Sequence, residues 1–278
     1  MPELPEVRAH AERLTEWFGG ASLRRLDALS FTALKTFDPR PDALHGRTLD
    51  RVDQRGKYLL LRFDDLTAVV HLMQGGRLRD DPKQSKKPRG GLVRFSFEDG
   101  RALLLSEAGK EHRAGVWIVT GDVEQQAPVT GLGPEADQVT EDELLTLLHA
   151  ENKRLHGWLR DQRNLAGIGR RLANEVCYEA RLSPFAMTRK LDAAAAATLV
   201  AAMRATIDEG MEFERGLDDM SASADRPGAV HHRIGEPCRD CDDTVRSVTY
   251  SGYTIAYCPE LQTGGKVLAD NTTSKFLK

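Results

Sequence analysis

The hydrophobic period of this chain changes once, between residues 120 and 140, and that change limits the fold more than any other feature. Before it, short apolar stretches alternate with turn signals: Thr48–Val52, Tyr58–Phe63, Ala68–Leu72, Leu92–Phe97, Ala102–Leu105 and Val116–Val119. Many short strands of this kind predict a β-sandwich or barrel. Asp99-Gly100, set between Phe97 and Leu103, is a strong hairpin signal. One helix precedes the strands, because Val7, Ala11, Leu14 and Phe18 recur at helical spacing and Gly19-Gly20 stops the run. After residue 140 the period becomes 3.6. Leu144, Leu145, Leu147 and Leu148 follow a capping box at Thr140 and Glu143; Leu155–Leu159, Ala173–Ala180 and the Ala-rich stretch 191–209 give further helices. Residues 80–91, with Lys83, Lys86, Lys87 and Arg89, read as a mobile basic loop, and 216–235 as a Gly/Ser/Pro-bearing one that includes Ser223.

The expected class is therefore α+β and multidomain. A β-sandwich with a leading helix occupies 1–122, a linker 123–140, a helical domain 141–222 and a small cysteine-bearing hairpin module 230–278. At 40% hydrophobic and 29% charged, with no run of 18 apolar residues, the composition is that of a soluble globular protein without a membrane partner. Four cysteines, two of them in a CxxC, suit a reduced cytoplasm and a metal better than disulfides. The net charge of −3 does not announce a nucleic-acid binder, so the distribution of basic residues matters more.

The N-terminus carries the residues of a candidate reaction centre. Removal of Met1 exposes Pro2, whose secondary amine is a better nucleophile than a primary one, and amines attack carbonyl carbons to form Schiff bases. An α-amino group titrates at about 7.7–8.0, so part of it is unprotonated near neutral pH. Glu3 lies within reach of the same reacting atom and can shuttle protons. The plain structural reading is that Pro2 and Pro5 stiffen the chain while Glu3 and Glu6 favour a helix start.

Between residues 153 and 171 lie Lys153, Arg154, Arg160, Arg163, Arg170 and Arg171 against one acid, Asp161, a surplus of five on a net-negative chain (6 − 1). Gly167 and Gly169 flank Ile168 between two helical segments, where glycine backbone can turn tightly and present N–H groups to an anion. Phosphate clamping follows naturally from this pattern, and such contacts position a duplex without reading its sequence; the plain structural reading is a solvated helix face with an ordinary turn. Cys238-x2-Cys241-x16-Cys258 has the spacing of a zinc ribbon, but the fourth position is Leu261, which cannot donate. Three arrangements are open: a substitute ligand such as His231, His232 or Asp242, three thiolates with a water, or a finger that folds without metal.

MPELPEV at 1–7, GKYLL at 56–60, Asp161-Gln162-x4-Gly167-Ile168-Gly169 within a segment continuing to Glu175, and the C-x2-C…C-P cluster occur in that order. This set resembles the formamidopyrimidine-DNA glycosylase / endonuclease VIII family of DNA repair enzymes, across the whole chain. The resemblance implies a helix–two-turn–helix element at 164–181, a structural zinc finger, and a bifunctional glycosylase with abasic-site lyase activity. Pro2 and Glu3 would be catalytic, with Glu6 and Glu175 as carboxylates that orient the amine. Lys57 would belong to the catalytic set and also contact DNA, with Lys153, Arg154, Arg163, Gly167, Gly169 and Arg170 holding phosphates; Arg170 stands where the family commonly has Asn.

Base eversion implies side chains that fill the emptied stack. His71-Leu72-Met73-Gln74 covers the first such site, with Met73 displaced by one position and Gln74 at the wedge. The later loop, Lys110-Glu111-His112-Arg113-Ala114-Gly115, has Ala114 where an aromatic wedge is usual, leaving His112 and Arg113 to meet the orphaned base. The finger hairpin near Thr249–Tyr257 has Tyr253 in place of the usual Arg, and Lys266, Lys275 and Lys278 make the tail basic. The expected partner is double-stranded DNA with a damaged base or abasic site. The protein would act as a bacterial-type cytoplasmic monomer, associated with the nucleoid, with no obligate protein partner. Oxidised purines such as 8-oxoguanine and formamidopyrimidines are the expected substrates. Oxidised pyrimidines, abasic or bulky lesions, and a non-catalytic damaged-DNA binder are the alternatives.

Overall fold

A computed structural model describes residues 1–109, 112–222, 224–250 and 252–268. Lys110, Glu111, Ser223, Lys275 and Lys278, named above, lie outside the described residues. The chain forms two compact units, Met1–Gly131 with Asp218–Met220, and Leu132–Leu217 with the chain from Ser221 on.

The first unit opens with α1 (Leu4–Phe18) and continues through β1 (Leu23–Ala28), β2 (Arg51–Arg55), β3 (Tyr58–Phe63), β4 (Leu66–His71), β5 (Gly76–Asp80), β6 (Gly91–Phe97), β7 (Ala102–Glu107) and β8 (Gly115–Thr120). They build two four-stranded sheets, ordered β1-β6-β7-β5 and β2-β3-β4-β8, with antiparallel neighbours throughout. Val7, Ala11, Leu14 and Phe18 of α1 join Leu59, Leu61, Val70, Phe95, Leu103 and Val116 in one buried core. The predicted stripe of α1 is therefore its core face. Thr15 ties α1 to β2: its Oγ1 accepts from Val52 N–H at 2.8 Å and donates to Val52 O at 3.1 Å.

Three strand expectations change. β1 and β5 have no counterpart among the expected strands, because each offers only two or one buried leucines (Leu23 and Leu26; Leu78) among polar residues. The strand placed at Thr48–Val52 runs instead over Arg51–Arg55, since Thr48 makes only an isolated bridge to Ser22 before the chain joins β3. Gly100, at φ +88°, closes the β6–β7 hairpin as Asp-Gly predicts.

The second unit contains α2 (Glu141–Ala150), α3 (Leu155–Leu159), α4 (Arg170–Glu179), α5 (Ala193–Arg215), β9 (Arg246–Tyr250), β10 (Tyr253–Tyr257) and α6 (Pro259–Thr263). The Thr140 capping box starts α2, with Glu143 N–H donating to Thr140 Oγ1 and Thr140 N–H to Glu143 Oε2. α5 runs past its expected end at 209, because Met211 and Glu214 remain buried on its inner face. A small second core holds Tyr178, Val230, Cys238, Val245, Ala256 and Cys258. Among the described residues no helix is long and apolar enough to cross a membrane.

Candidate active site and nucleic-acid interface

In the first unit, Glu3 and Glu6 at the start of α1 and Lys57 in the β2–β3 turn are 6%, 4% and 7% exposed, values unusual for charged side chains. Pro2 is buried as well. Glu3 is the N-cap of α1, and its backbone N–H donates to Glu6 Oε2 at 2.9 Å. The Met1 ammonium has its pKa lowered, first by burial, then against the raising influence of Glu3, with Arg77 and Lys57 lowering it and Glu6 raising it. The structure thus gathers two carboxylates and two cations around the amino terminus. Arg77 is the member that sequence reasoning missed; it stands four residues beyond Met73, in a strand whose apolar signal is a single leucine.

Lys57 is placed by a two-residue turn. Gly56 takes φ +55°, Arg55 pairs with Tyr58, and Gln54 Nε2 donates to Gly56 O at 2.7 Å, while Gln54 Oε1 accepts from Arg8 Nε of α1 at 3.1 Å. His71 closes β4 opposite Tyr58, with ring centroids 4.6 Å apart. Burial, reinforced by the Lys57 charge, lowers His71 to a pKa of about 4, so it is neutral at physiological pH. Its Nδ1 accepts from Met73 N–H at 3.2 Å, and the Met73 sulfur lies 2.7 Å from the same nitrogen. Met73, half-buried at φ +51°, is folded back on His71, whereas Gln74 is exposed. In the later loop Arg113 is exposed and His112 half-buried at φ +44°. Ala114 is fully buried, its N–H donating to Glu107 Oε2 at 2.7 Å.

In the second unit, the turn between α3 and α4 is pinned by one side chain. Gln162 Nε2 donates to Arg160 O and Ile168 O at 2.9 and 2.8 Å, and its Oε1 accepts from Gly167 N–H at 3.0 Å. Gly167 has φ +95° and Gly169 is the N-cap of α4. The six basic residues separate into groups. Arg163 pairs with Asp161 at 2.7 Å, and Lys153 with Glu151 at 2.7 Å and Asp161 at 3.5 Å. The hydrogen bonds from Arg163 hold Asp161 down to a pKa of about 2. Arg171 is buried and donates to Arg226 O and Pro227 O. Arg170 is exposed at the start of α4. Arg154 and Arg160 lie against aromatic rings, Arg154 over Tyr250 (4.3 Å) and Phe185 (4.7 Å), Arg160 over Tyr253 (3.6 Å).

Glu175, expected to orient the amine, uses both carboxylate oxygens on the loop of its own unit. It accepts from Ala229, Val230 and His231 N–H groups at 2.6, 3.2 and 2.7 Å. Cys238, Cys241 and Cys258 bring their sulfurs within 4.8 Å of one another. Among the described residues no histidine or carboxylate joins them. His231 and His232, two of the expected substitutes, lie against each other with ring centroids 4.3 Å apart and tilted by 60°, and His231 Nδ1 lies 2.9 Å from Asn174 Nδ2. Asp242, the third, is also outside the cluster. Leu261 packs against this core instead. The three thiols lie close enough together to bind one metal ion, and thiolates are the donors a structural zinc would take.

Residues 1–110 match the formamidopyrimidine-DNA glycosylase N-terminal domain, and residues 130–221 the formamidopyrimidine-DNA glycosylase H2TH domain. A formamidopyrimidine-DNA glycosylase of Cytobacillus firmus is 28% identical over 94% of this chain and its own full length. A formamidopyrimidine-DNA glycosylase-like protein of Mycobacterium tuberculosis is 37% identical over 53% of this chain and 94% of its own. The crystal structure of the Thermus thermophilus protein superposes with a TM-score of 0.83 at 26% identity, covering 96% of this chain and all of that one. The Lactococcus lactis enzyme, solved non-covalently bound to DNA containing an abasic site, has the same fold at a TM-score of 0.83 and 20% identity, over 94% of this chain and 99% of that one. The fold and the two matched domains define a DNA glycosylase of base excision repair. The chain belongs to the formamidopyrimidine-DNA glycosylase family.

Proposed function

We propose that this protein excises damaged bases from duplex DNA and cleaves the resulting abasic site through an N-terminal proline. The observation that carries the reading is the buried group of Glu3, Glu6 and Lys57 at the amino terminus. After Met1 is removed, the Pro2 nitrogen attacks C1′ of the damaged nucleotide and displaces the base, leaving an iminium (Schiff base) linkage. Glu3 delivers a proton to the sugar ring oxygen, and Glu6 holds the Glu3 backbone in place. A desolvated amine keeps a neutral, nucleophilic fraction at lower pH than an exposed one. Lys57 serves a flanking phosphate as a point charge. β- and then δ-elimination release the strand ends.

Gln74, His112 and Arg113 are the groups that meet the emptied stack, since Ala114 is buried and Met73 is turned toward His71. Oxidised purines, including 8-oxoguanine and formamidopyrimidines, are the proposed substrates. A structural zinc held by Cys238, Cys241 and Cys258 would stabilise the hairpin module and take no part in the reaction. The protein would act as a monomer. A second reading, a damaged-DNA binder without chemistry, rests on the loss of the wedge at Ala114.

Borohydride trapping separates the two. Protein shown by intact mass to lack Met1 is mixed with duplexes carrying 8-oxoguanine, an oxidised pyrimidine or an abasic site. A covalent adduct that disappears in Pro2→Gly supports the amine mechanism and names the lesion. Binding without an adduct on any duplex supports the second reading.

A further inference from the structure

The cleft between α3 and the β9–β10 hairpin contains two guanidinium groups whose charge meets no carboxylate among the described residues. Arg154, Arg160, Phe185, Tyr250 and Tyr253 line it, in a space of about 330 Å³. Asp161 is the acid in this lining, and Arg163 and Lys153 already pair with it. Arg154 and Arg160 lie over aromatic rings instead, Arg154 over Phe185 and Tyr250 and Arg160 over Tyr253 at 3.6 Å. Tyr250 and Tyr253 are the pair that closes the hairpin, so the rings occupy its tip.

A guanidinium stacked on a ring keeps its in-plane N–H donors directed away from the ring, in the fork that fits a phosphate. Stacking also fixes a side chain that would otherwise lose several rotamers on binding. The hairpin tip has a tyrosine, a residue with no positive charge, yet a guanidinium is present there, brought from the end of α3.

We infer that Arg160, stacked on Tyr253, is a DNA backbone clamp: it supplies the hairpin tip with the phosphate-binding cation that the hairpin's own sequence lacks, and Arg154 on Tyr250 and Phe185 supplies a second. The ligand is a phosphodiester of the duplex, and the interaction carries affinity without reading a base. This inference rests on the reading of the protein as a DNA glycosylase.

The test is the salt dependence of binding to a duplex with an abasic-site analogue and to the same duplex undamaged. Removing one phosphate interaction lowers the slope of log K against log salt by about 0.9. Arg160→Ala is expected to lower the slope by that amount and to weaken both duplexes by the same factor, about fivefold to tenfold near physiological salt. Arg160→Lys keeps the slope but weakens binding, because an ammonium retains the charge without the fork. Tyr253→Phe keeps both, whereas Tyr253→Ala weakens binding by removing the platform; these variants decide the matter even if Arg160→Ala folds poorly. A wild-type protein that binds with a salt-dependent slope unchanged in Arg160→Ala, and with affinity unchanged in Arg160→Lys, overturns the clamp and leaves the glycosylase reading intact. Wild-type protein that binds neither duplex overturns the glycosylase reading itself, and the clamp with it.

Discussion

The backbone N–H of Glu3 donates to Glu6 Oε2 at 2.9 Å, so a carboxylate on the first turn of α1 fixes the residue beside Pro2, the proposed nucleophile. Both side chains are buried, and the bond sits where α1 enters the core through Leu4 and Val7. In the proposed mechanism a local helix-capping interaction is thereby also the frame of the reaction centre.

Replacing Glu6 separates these roles. Glu6→Gln keeps an acceptor oxygen for the Glu3 N–H, and its stability should stay within about 1 kcal/mol of wild type. Glu6→Ala takes this acceptor from a buried N–H, a loss of about 1–3 kcal/mol. Urea denaturation measures both. Trapping yield with an abasic-site duplex should fall in Glu6→Ala by more than its loss of folded protein explains; equal yields per folded molecule would remove Glu6 from the frame.

A comparable pin holds the other unit. Gln162 bridges Arg160 O, Ile168 O and Gly167 N–H, and so sets the turn before α4. Gln162→Ala leaves the Gly167 N–H without this acceptor and should destabilise the protein by about 1–3 kcal/mol. Because the turn also sets the start of α4, affinity for undamaged duplex should fall as well, by titration at constant salt. Unchanged affinity would mean that α4 does not depend on the glutamine for its placement.

Acid sensitivity follows from the buried imidazoles. Burial lowers His10 and His71 to about 4, and His156 and His231 to about 3, from the ordinary value of 6.5. His10 also donates from Nε2 to Leu78 O at 2.7 Å, which joins α1 to β5. Each group is neutral in the folded protein and protonated in the unfolded chain between its two values. The unfolded state therefore binds more protons there, and stability falls as pH drops below about 6.5 toward 4. For His10, 2% exposed, the loss at pH 5 is about 2 kcal/mol. Melting temperature should decline steeply from pH 7 to pH 5, and less steeply in His10→Gln. A flat profile over that range would show that the imidazoles are not held neutral.

Much of this is legible in local patterns. β3 begins and ends where the sequence places it, because an apolar run flanked by Gly56 and Asp64 has one register that buries it. The capping box of α2 is readable from Thr140 and Glu143 alone. β1 and β5 are not, since a strand at a sheet edge needs few apolar residues. The site divides similarly. Glu3, Glu6 and Lys57 stand out from motifs, but Arg77 does not, because its role depends on a fold that brings β5 toward the amino terminus. The stacking of Arg160 on Tyr253 joins residues far apart in sequence, and no spacing rule connects them. Lys153 and Arg163 read as free phosphate donors from their charge, which does not reveal that Asp161 already pairs with both.

The cysteine module offers the most direct gain-of-function prediction. Cys238, Cys241 and Cys258 converge, and Leu261 lies three residues after Cys258, in the first turn of α6, packed against the same small core. Structural zinc takes four ligands almost without exception, and leucine gives none. Leu261→Cys places a fourth sulfur donor at the spacing of the Cys238–Cys241 pair, x2 in both cases. Zinc affinity, measured by competition with a chromophoric chelator, should rise at least about tenfold, and the melting temperature of zinc-loaded protein should rise with it. Cys258→Ser should lower both relative to wild type. If Leu261→Cys binds zinc no more tightly than wild type, the three thiols do not point at a common metal position, and the small core around Tyr178 and Val230 stabilises the hairpin unaided.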